Sequence, residues 1–444
     1  MKFLNITMKG SSIRIAAAFV IVAFLSITNA RAQYIAGNTF NPYTLYGLGE
    51  MNVTGDAAAL SMGGVGIAAR DQLTPNSVNP AAYSSMTEKS VLFAIGIKGN
   101  NNYLKEGALT SSHNAVLLNN VNFQFRIAKG IGFGMSLNPY SSVGYRIKVQ
   151  ETDPEIISSI GNVSYRYSGN GGVSELKAGF GFAILNNLSI GINYVYYLGQ
   201  IERNFYTDIT PSIPPADYRI DYDIRMLQVN NSSFEIGLQY HKNISDDKQI
   251  NVGLIYQPGF KYDNWVKHEI TTYDGSAVDT VKFDNYKTKL HLPSKYGGGV
   301  MYQSSKIKLG VDYMYLDYKN LFGGNYHTNT DVTFSSSHDA RVGFEITPNR
   351  YDIRKFLNRW SYRVGVRYNR SYMNYNNKAL DDAALSLGLG IPIQGSSSIA
   401  YANIGAEIGR MGFGQGQLSN TYLRFFIGFN FFSKNEWFRQ HRFR

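Results

Sequence analysis

The constraint that decides most about this chain is a repeated two-residue rhythm. Between Leu423 and Phe431 the odd positions read Leu423, Phe425, Ile427, Phe429 and Phe431, with Arg424, Phe426, Gly428 and Asn430 between them. Val121, Phe123, Phe125 and Ile127 alternate with Asn122, Gln124 and Arg126, and Ile131, Phe133, Met135 and Leu137 with Gly132, Gly134, Ser136 and Asn138. The rhythm returns over 176–184, 188–198, 234–240, 307–315, 340–346, 362–368, 385–391 and 400–408. Successive side chains of a strand point to opposite faces, so each segment is a strand with one apolar face. Such strands are compatible with a soluble sandwich or with a barrel in lipid.

Three features favour lipid. The second face is rich in glycine and small polar residues, as the interior of a barrel would be. Tyrosines gather at the ends of the apolar faces (Tyr194, Tyr196, Tyr240, Tyr256, Tyr302, Tyr313, Tyr315, Tyr368), where an aromatic girdle sits. Third, Lys9 and Arg14 precede an apolar run from Ile15 to Ile27, and Ala30-Arg31-Ala32 forms an A-x-A cleavage site. That run of 13 residues is short of the roughly 20 that a membrane helix needs. Residues 1–32 therefore read as a signal peptide cleaved near residue 32. Its removal takes away four cations and no acid, lowering the formal net charge from +11 to +7.

No other segment approaches a membrane helix, so a spanning chain must span as strands, and backbone polar groups in lipid then require closure. Strands are expected at about 89–98, 115–127, 130–150, 160–184, 187–205, 218–242, 248–270 and 280–303. The others fall at about 306–320, 331–347, 358–375, 383–392, 397–410 and 419–432. Fourteen is an even number, and both chain ends fall on the periplasmic side. Short connections (128–129, 185–186, 243–247, 304–305, 394–396, with 348–357 a longer exception) alternate with long ones (99–114, 321–330). The expected fold is an all-β, transmembrane antiparallel β-barrel of about fourteen strands, residues 89–432, with a periplasmic C-terminal extension at 433–444. Its place is the outer membrane of a Gram-negative cell.

Charged residues make up only 17% of the chain, below the ordinary ~25%, while aromatics reach 14%. The basic excess is dispersed, with no run that would bind nucleic acid. With no Cys there are no disulfides, thiolate metal sites or lipidated cysteine. No cofactor is expected, and no nucleophile motif accompanies the seven histidines (113, 241, 268, 291, 327, 338, 441), so an enzyme is not expected. His268 and His291 flank a loop and could meet at a metal or stay solvated; no metal site is assigned.

Residues 33–88 do not alternate. They contain Gly55-Asp56-Ala57-Ala58-Ala59-Leu60-Ser61-Met62-Gly63-Gly64-Val65-Gly66-Ile67-Ala68-Ala69, then Asn79-Pro80-Ala81. Asp56 before three alanines can cap one helical turn. No Gly-Lys-Ser/Thr closes the glycine run, which excludes a Walker loop. A segment too apolar for a solvated tail folds most simply into the barrel mouth, as an N-terminal plug.

Met62-Gly63-Gly64-Val65-Gly66-Ile67-Ala68, Asp71 and Asn79-Pro80-Ala81 resemble the plug signature of FadL/TodX-type outer-membrane transporters of hydrophobic compounds. Leu387–Ile393, Ala406-Glu407-Ile408-Gly409-Arg410, Tyr422-Leu423 and Trp437-Phe438 are similar to that family's closing hairpins. The resemblance implies a plugged fourteen-stranded barrel that takes up long-chain fatty acids or other greasy molecules by plug movement, with lateral exit at a kink in the third strand. Here that strand carries Asn138, Pro139 and Gly144, which mark either such an opening or an ordinary register-setting bulge. A second role found among FadL-like proteins is a protein-docking shuttle of type IX secretion. Ser433–Arg444 follow the last strand, so the chain does not end on the terminal aromatic usual for such barrels.

Taking the apolar face as outward, the lumen carries Arg126, Lys177, Lys308, Arg341, Arg363, Arg367 and Arg424 against Glu235, Asp312, Glu345 and Glu407. Arg341 is expected to pair with Glu345 and Glu407 with Arg424; the surplus could instead hold an anionic headgroup. Leu92, Val195, Tyr197, Ile255, Met314, Leu316, Tyr401 and Phe426 also point inward, to a ligand or to the plug. Expected partners are hydrophobic small molecules such as fatty acids, outer-membrane lipid and lipopolysaccharide, and secreted proteins in the docking role, with the protein a monomer.

Overall fold

The computed structural model describes residues 39–87, 90–210, 219–274, 277–323, 332–394, 398–413 and 418–434. The expected signal peptide, His327 and His441 lie outside them, as does the C-terminal extension beyond Lys434. Fourteen staves form one antiparallel sheet. They are β1 (Ser90–Glu106), β2 (Leu109–Ala128), β3 (Ile131–Gln150), β4 (Asn162–Leu185), β5 (Leu188–Thr210) and β6 (Arg219–Ser245). β7 consists of Lys248–Gln257 and Phe260–Asp274, and β8 of Ala277–Leu292 and Ser294–Ser304. β9 (Ile307–Asp317), β10 (Val332–Phe334 with Ser336–Ile346), β11 (Ser361–Tyr375), β12 (Lys378–Gln394), β13 (Ser398–Met411) and β14 (Ser419–Lys434) complete the series. β14 closes on β1 in unbroken register from Ser419 opposite Lys105 to Lys434 opposite Ser90. Closure of β14 on β1 removes the two terminal strands as open edges.

The alternation sets the faces as expected. On β14 Phe425 is 50% and Ile427 43% exposed, whereas Phe426 and Asn430 are 2% exposed. The outward residues form the apolar belt of a transmembrane barrel.

One expected connection is wrong. Residues 99–114 are not a loop: β1 and β2 run on to a two-residue turn at Gly107-Ala108, with Glu106 opposite Leu109. The extension alternates poorly because its outward positions are polar, but a ladder is made by the backbone. β4, β5 and β6, at 24, 23 and 27 residues, likewise exceed the roughly 9–11 residues that cross a membrane.

Two seams interrupt the wall. The β2–β3 ladder stops at Val121 opposite Leu137, although β3 stays paired with β4 to Gln150, with a register shift between Pro139 and Ser141. The β6–β7 ladder stops at Leu227 opposite Val266 and resumes at Ile236 opposite Tyr256. There the Tyr262 hydroxyl donates to the Ser232 carbonyl, and the Ser233 hydroxyl to the Pro258 carbonyl at 3.3 Å. β7 and β8 exchange their inward and outward sets at Pro258-Gly259 and Pro293, where proline removes a ladder donor.

Candidate functional site: the plug and the seam beside β3

The N-terminal residues lie inside the barrel, in two parts. Residues 39–52 occupy the half away from Ser90 and Lys434, where the barrel begins and ends, packed into an apolar cluster that includes Tyr43, Leu48, Val143, Tyr197, Leu227 and Tyr372. The Tyr372 hydroxyl donates to the Gly49 carbonyl (2.8 Å) and accepts from the Leu48 amide (3.1 Å). Arg203 donates to the Leu45 and Gly47 carbonyls at 2.9 and 2.7 Å. Residues 55–87 fill the half nearest Ser90 and Lys434.

In that half the glycine run is held tightly. Asp56 accepts from the Ala59 amide at 2.9 Å and caps the single turn Ala57–Leu60, as expected. Gly63 and Gly64 take φ of +72° and +84°, a region L side chains avoid. The Gly66 and Ile67 amides both donate to Asp312, at 2.7 and 2.8 Å, and the Gly63 amide donates to Ser386 at 2.9 Å. Asn79 accepts from the Ala81 amide at 3.0 Å, capping the 3-10 helix Pro80–Ser85. Its Nδ2 donates to the Ile67 carbonyl at 2.8 Å and faces the Leu238 and Leu254 carbonyls at 3.3 Å, joining plug to β6 and β7.

The wall fits the plug by lacking side chains. A Cβ on Gly253 would lie 2.3 Å from the Ile67 carbonyl oxygen, and one on Gly191 would lie 2.3 Å from the Pro80 carbonyl carbon. The glycines on the inner face of the strands are thus the negative of the plug.

Buried charges form a cluster in which Lys177 reaches Glu175 and Glu235 (both 3.3 Å) and Glu235 also takes Lys295, and two further networks. In the half nearest Ser90 and Lys434, Lys308 reaches Asp71 (2.5 Å) and Glu345 (3.1 Å), and Glu345 takes Arg363 (2.6 Å). Burial alone would raise the Asp71 carboxyl, but the Lys308 ammonium and Arg350 guanidinium hold it well below the usual carboxylate range. Deeper in, Glu407 takes Arg424 (3.0 Å) and Arg367 (3.5 Å), Arg367 pairs with Asp382 (2.8 Å), and Arg424 also holds Glu50 of the plug.

The Glu407–Arg424 pair is as expected, but Arg341 does not pair with Glu345. It turns to Asp339 on its own strand (2.7 Å) and donates to the Gly64 carbonyl (2.8 Å), while Glu345 is taken by Lys308 and Arg363. Arg126 donates to the Ala128 and Met86 carbonyls. Among the inward apolar residues, Phe426 packs on Ala57 and Leu60, Ile255 on Ile67 and Val78, and Leu92 on Met86, all plug residues. His268 and His291 do not meet: they stand opposite Asp284 and Lys261, seven positions apart along one ladder.

Asn138, Pro139 and Gly144 fall on the freed edge of β3. Val143, Ser141 and Ser142 are all 0% exposed and Asn138 1%, so both faces of the strand are buried and it has moved into the lumen. The plug takes the vacated edge: Glu50 and Met51 pair with Ser142 and Ser141. The Asn52 amide donates to the Tyr140 carbonyl (2.9 Å), and the Asn41 amide to the Gly144 carbonyl (2.7 Å). Thr39–Asn52 lie within the expected plug segment, but sequence reasoning did not foresee their pairing with β3. A signal was present: Asn41-Pro42 repeats Asn79-Pro80, and Asn41 likewise accepts from the amide two residues on, at 3.2 Å.

Two small cavities lie between plug and wall among the described residues. A cavity of about 70 Å³ lies between Asp71, Met62, Met301 and Arg363, and one of about 30 Å³ between Glu50, Arg367 and Arg424. These hold a water or two, each needing about 30 Å³, and no acyl chain.

Among solved structures, a FadL homologue of Pseudomonas aeruginosa is similar at TM-score 0.58, with 14% identity over 87% of this chain and 99% of that one. The toluene transporter TodX of P. putida gives 0.56, 14%, 86% and 98%, and the monoaromatic hydrocarbon channel CymD 0.54, 13%, 86% and 97%. These likenesses establish the FadL/TodX-type fold. No curated protein matches the chain in sequence. The BamG family model matches residues 14–444, so the chain belongs to the BamG family, built on the plugged fourteen-stranded FadL/TodX-type barrel.

Proposed function

We propose that the protein is an outer-membrane channel for passive uptake of small hydrophobic molecules, with long-chain fatty acids in their number. The observation that carries this reading is β3, buried on both faces, whose free edge is taken by the plug at Glu50–Asn52. Displacing Glu50–Asn52 would expose an opening between β2 and β3, through which a greasy ligand leaves sideways into lipid. Asn138, Pro139 and Gly144 give the strand its bend. Gly63, Gly64, Gly66, Asn79, Pro80 and Ala81 seat the hatch, and Arg367, Arg424, Glu407 and Arg363 act as its ionic latch, with the arginines available to an anionic headgroup once the plug moves. The two ends of the barrel, Ser90 and Lys434, are taken as periplasmic, residues 1–32 as a removed export signal, 33–88 as the hatch and 433–444 as a periplasmic extension of a monomeric barrel. Fatty-acid uptake is measured for a Pro139 replacement and a Gly63-Gly64 deletion. Loss supports the mechanism; normal uptake in both sinks it.

A second reading, a protein-docking component such as a type IX secretion shuttle, is favoured by the ion pairs that tie the plug to the wall at Asp71 and Glu50. The two separate in a Cys-free chain by locking the plug with Asn52→Cys and Ser142→Cys, whose native side chains touch at 3.0 Å. Uptake lost on oxidation supports transport. Full function of the locked barrel, with secreted proteins co-purifying and no bound lipid, supports docking.

A further inference from the structure

The outer wall of β6–β9 carries a feature that neither reading uses. Two cross-strand rows face lipid there. One runs Ile236, Tyr256, Tyr296, Tyr315; the other runs Leu238, Leu254, Gly298, Tyr313. Gly298 interrupts the second row, and the missing side chain leaves an apolar groove of about 490 Å³ walled by tyrosines. A Cβ at Gly298 would meet only Leu254, at 3.5 Å, so the backbone does not require glycine there.

Above the groove, past the break at Pro258-Gly259 and Pro293, the outward face of the same two strands becomes basic. Lys261 stands opposite His291, Lys289 opposite Asp263 and Lys287 opposite Trp265. The four lysines of this face (261, 267, 287, 289) and Trp265 are exposed, and the Lys287 ammonium lies 5.0 Å over the Trp265 ring. Two carboxylates, Asp263 and the half-buried Glu269, share the face with the four lysines. Seven residues separate Gly298 from His291. At ~3.3 Å per residue and ~40° of tilt this is roughly 18 Å, close to the ~15 Å of one leaflet's hydrocarbon.

We infer that this wall is a binding site for a phosphorylated, multiply acylated lipid of the outer leaflet. One acyl chain lies in the groove at Gly298 and the phosphate sits among Lys261, Lys287 and Lys289. The occupant is named by charge complementarity and geometry together: a neutral lipid leaves the cations unused, and a soluble anion leaves the groove unused. The orientation rests on the two ends of the barrel, Ser90 and Lys434, being periplasmic, which places the basic face outside.

Purified full-length barrel in detergent is offered bisphosphorylated lipid A or its dephosphorylated form, and retained lipid is counted by native mass spectrometry. The wild type is expected to prefer the phosphorylated form. K287Q/K289Q is expected to lose about thirtyfold of that retention, at roughly fivefold per surface cation. Gly298→Phe is expected to lower retention of both forms about threefold by displacing the tail, with Gly298→Leu as the smaller substitution. Heat-modifiable mobility checks that each variant is folded. Equal retention of the two lipids by the wild type overturns the inference, as do unchanged variants or displacement of the lipid by inorganic phosphate alone. Uptake is not read, so failure of the transport mechanism leaves this result intact.

Discussion

Replacing Asp71 by Asn tests whether the plug is latched by charge. Asp71 and Lys308 join plug to wall at 2.5 Å, and both side chains are less than a fifth exposed. Breaking a buried pair usually costs 3–5 kcal/mol because one charge is stranded. Here Lys308 keeps Glu345 at 3.1 Å, and the Asn side chain can still accept from the Leu73 amide. The expected cost is therefore nearer 2 kcal/mol, a shift of about thirtyfold in plug opening at 1.4 kcal/mol per factor of ten. Amide hydrogen exchange at Gly66 and Ile67, both donors to Asp312, reads that opening directly. Asp71→Asn and Lys308→Met should each speed exchange, and the double variant should fall short of their sum by about 1–2 kcal/mol. Additive effects, or exchange at Gly66 and Ile67 unchanged in both single variants, would refute the latch.

Acid gives an independent check on the same group. The folded Asp71 carboxyl lies below its unfolded value of about 3.9, so its contribution is complete above that pH and is lost only as pH falls through the lower folded value. Plug protection, corrected for intrinsic exchange, should hold from about pH 7 to 5; loss near pH 6 would contradict the pairing. Gly253→Val places a branched side chain against the Ile67 carbonyl, which cannot yield, so the plug should be displaced and single-channel conductance rise. Asn79→Ala leaves the Ile67 carbonyl to Gln239 alone (3.0 Å) and uncaps Pro80–Ser85, lowering stability by about 1–2 kcal/mol in denaturant titration, with the barrel's strand content intact. Arg424→Met should cost more than Arg363→Met, because it leaves both Glu50 and Glu407 short of a partner.

Much of this molecule could be read from residues in order. Alternation fixes strand and face together, since a one-residue slip exposes the wrong set, and signals such as Phe425-Phe426-Ile427 are unambiguous once one face must meet lipid. The inner glycines were legible as an interior surface, and Asp56 as a cap. The Asn-Pro caps at 41 and 79 were equally local, though only the second was used. Strand ends were harder at β1 and β2, where polar residues continue a ladder that the backbone alone maintains.

What the sequence could not rank was the choice among partners inside. Several acids and arginines face one lumen, and strand pairing decides which meet: Glu345 lies opposite both Lys308 and Arg363, so Arg341 is left to Asp339 and the Gly64 carbonyl. Likewise Asn138-Pro139 marked a weak point in β3 but not what covers it. By itself the sequence determined a closed, membrane-facing barrel with a non-alternating segment before it, because periodicity and length are properties of the chain. Only the tertiary structure decided that this segment fills the barrel to its far half and takes the edge β2 leaves free, because such contacts join residues some ninety positions apart.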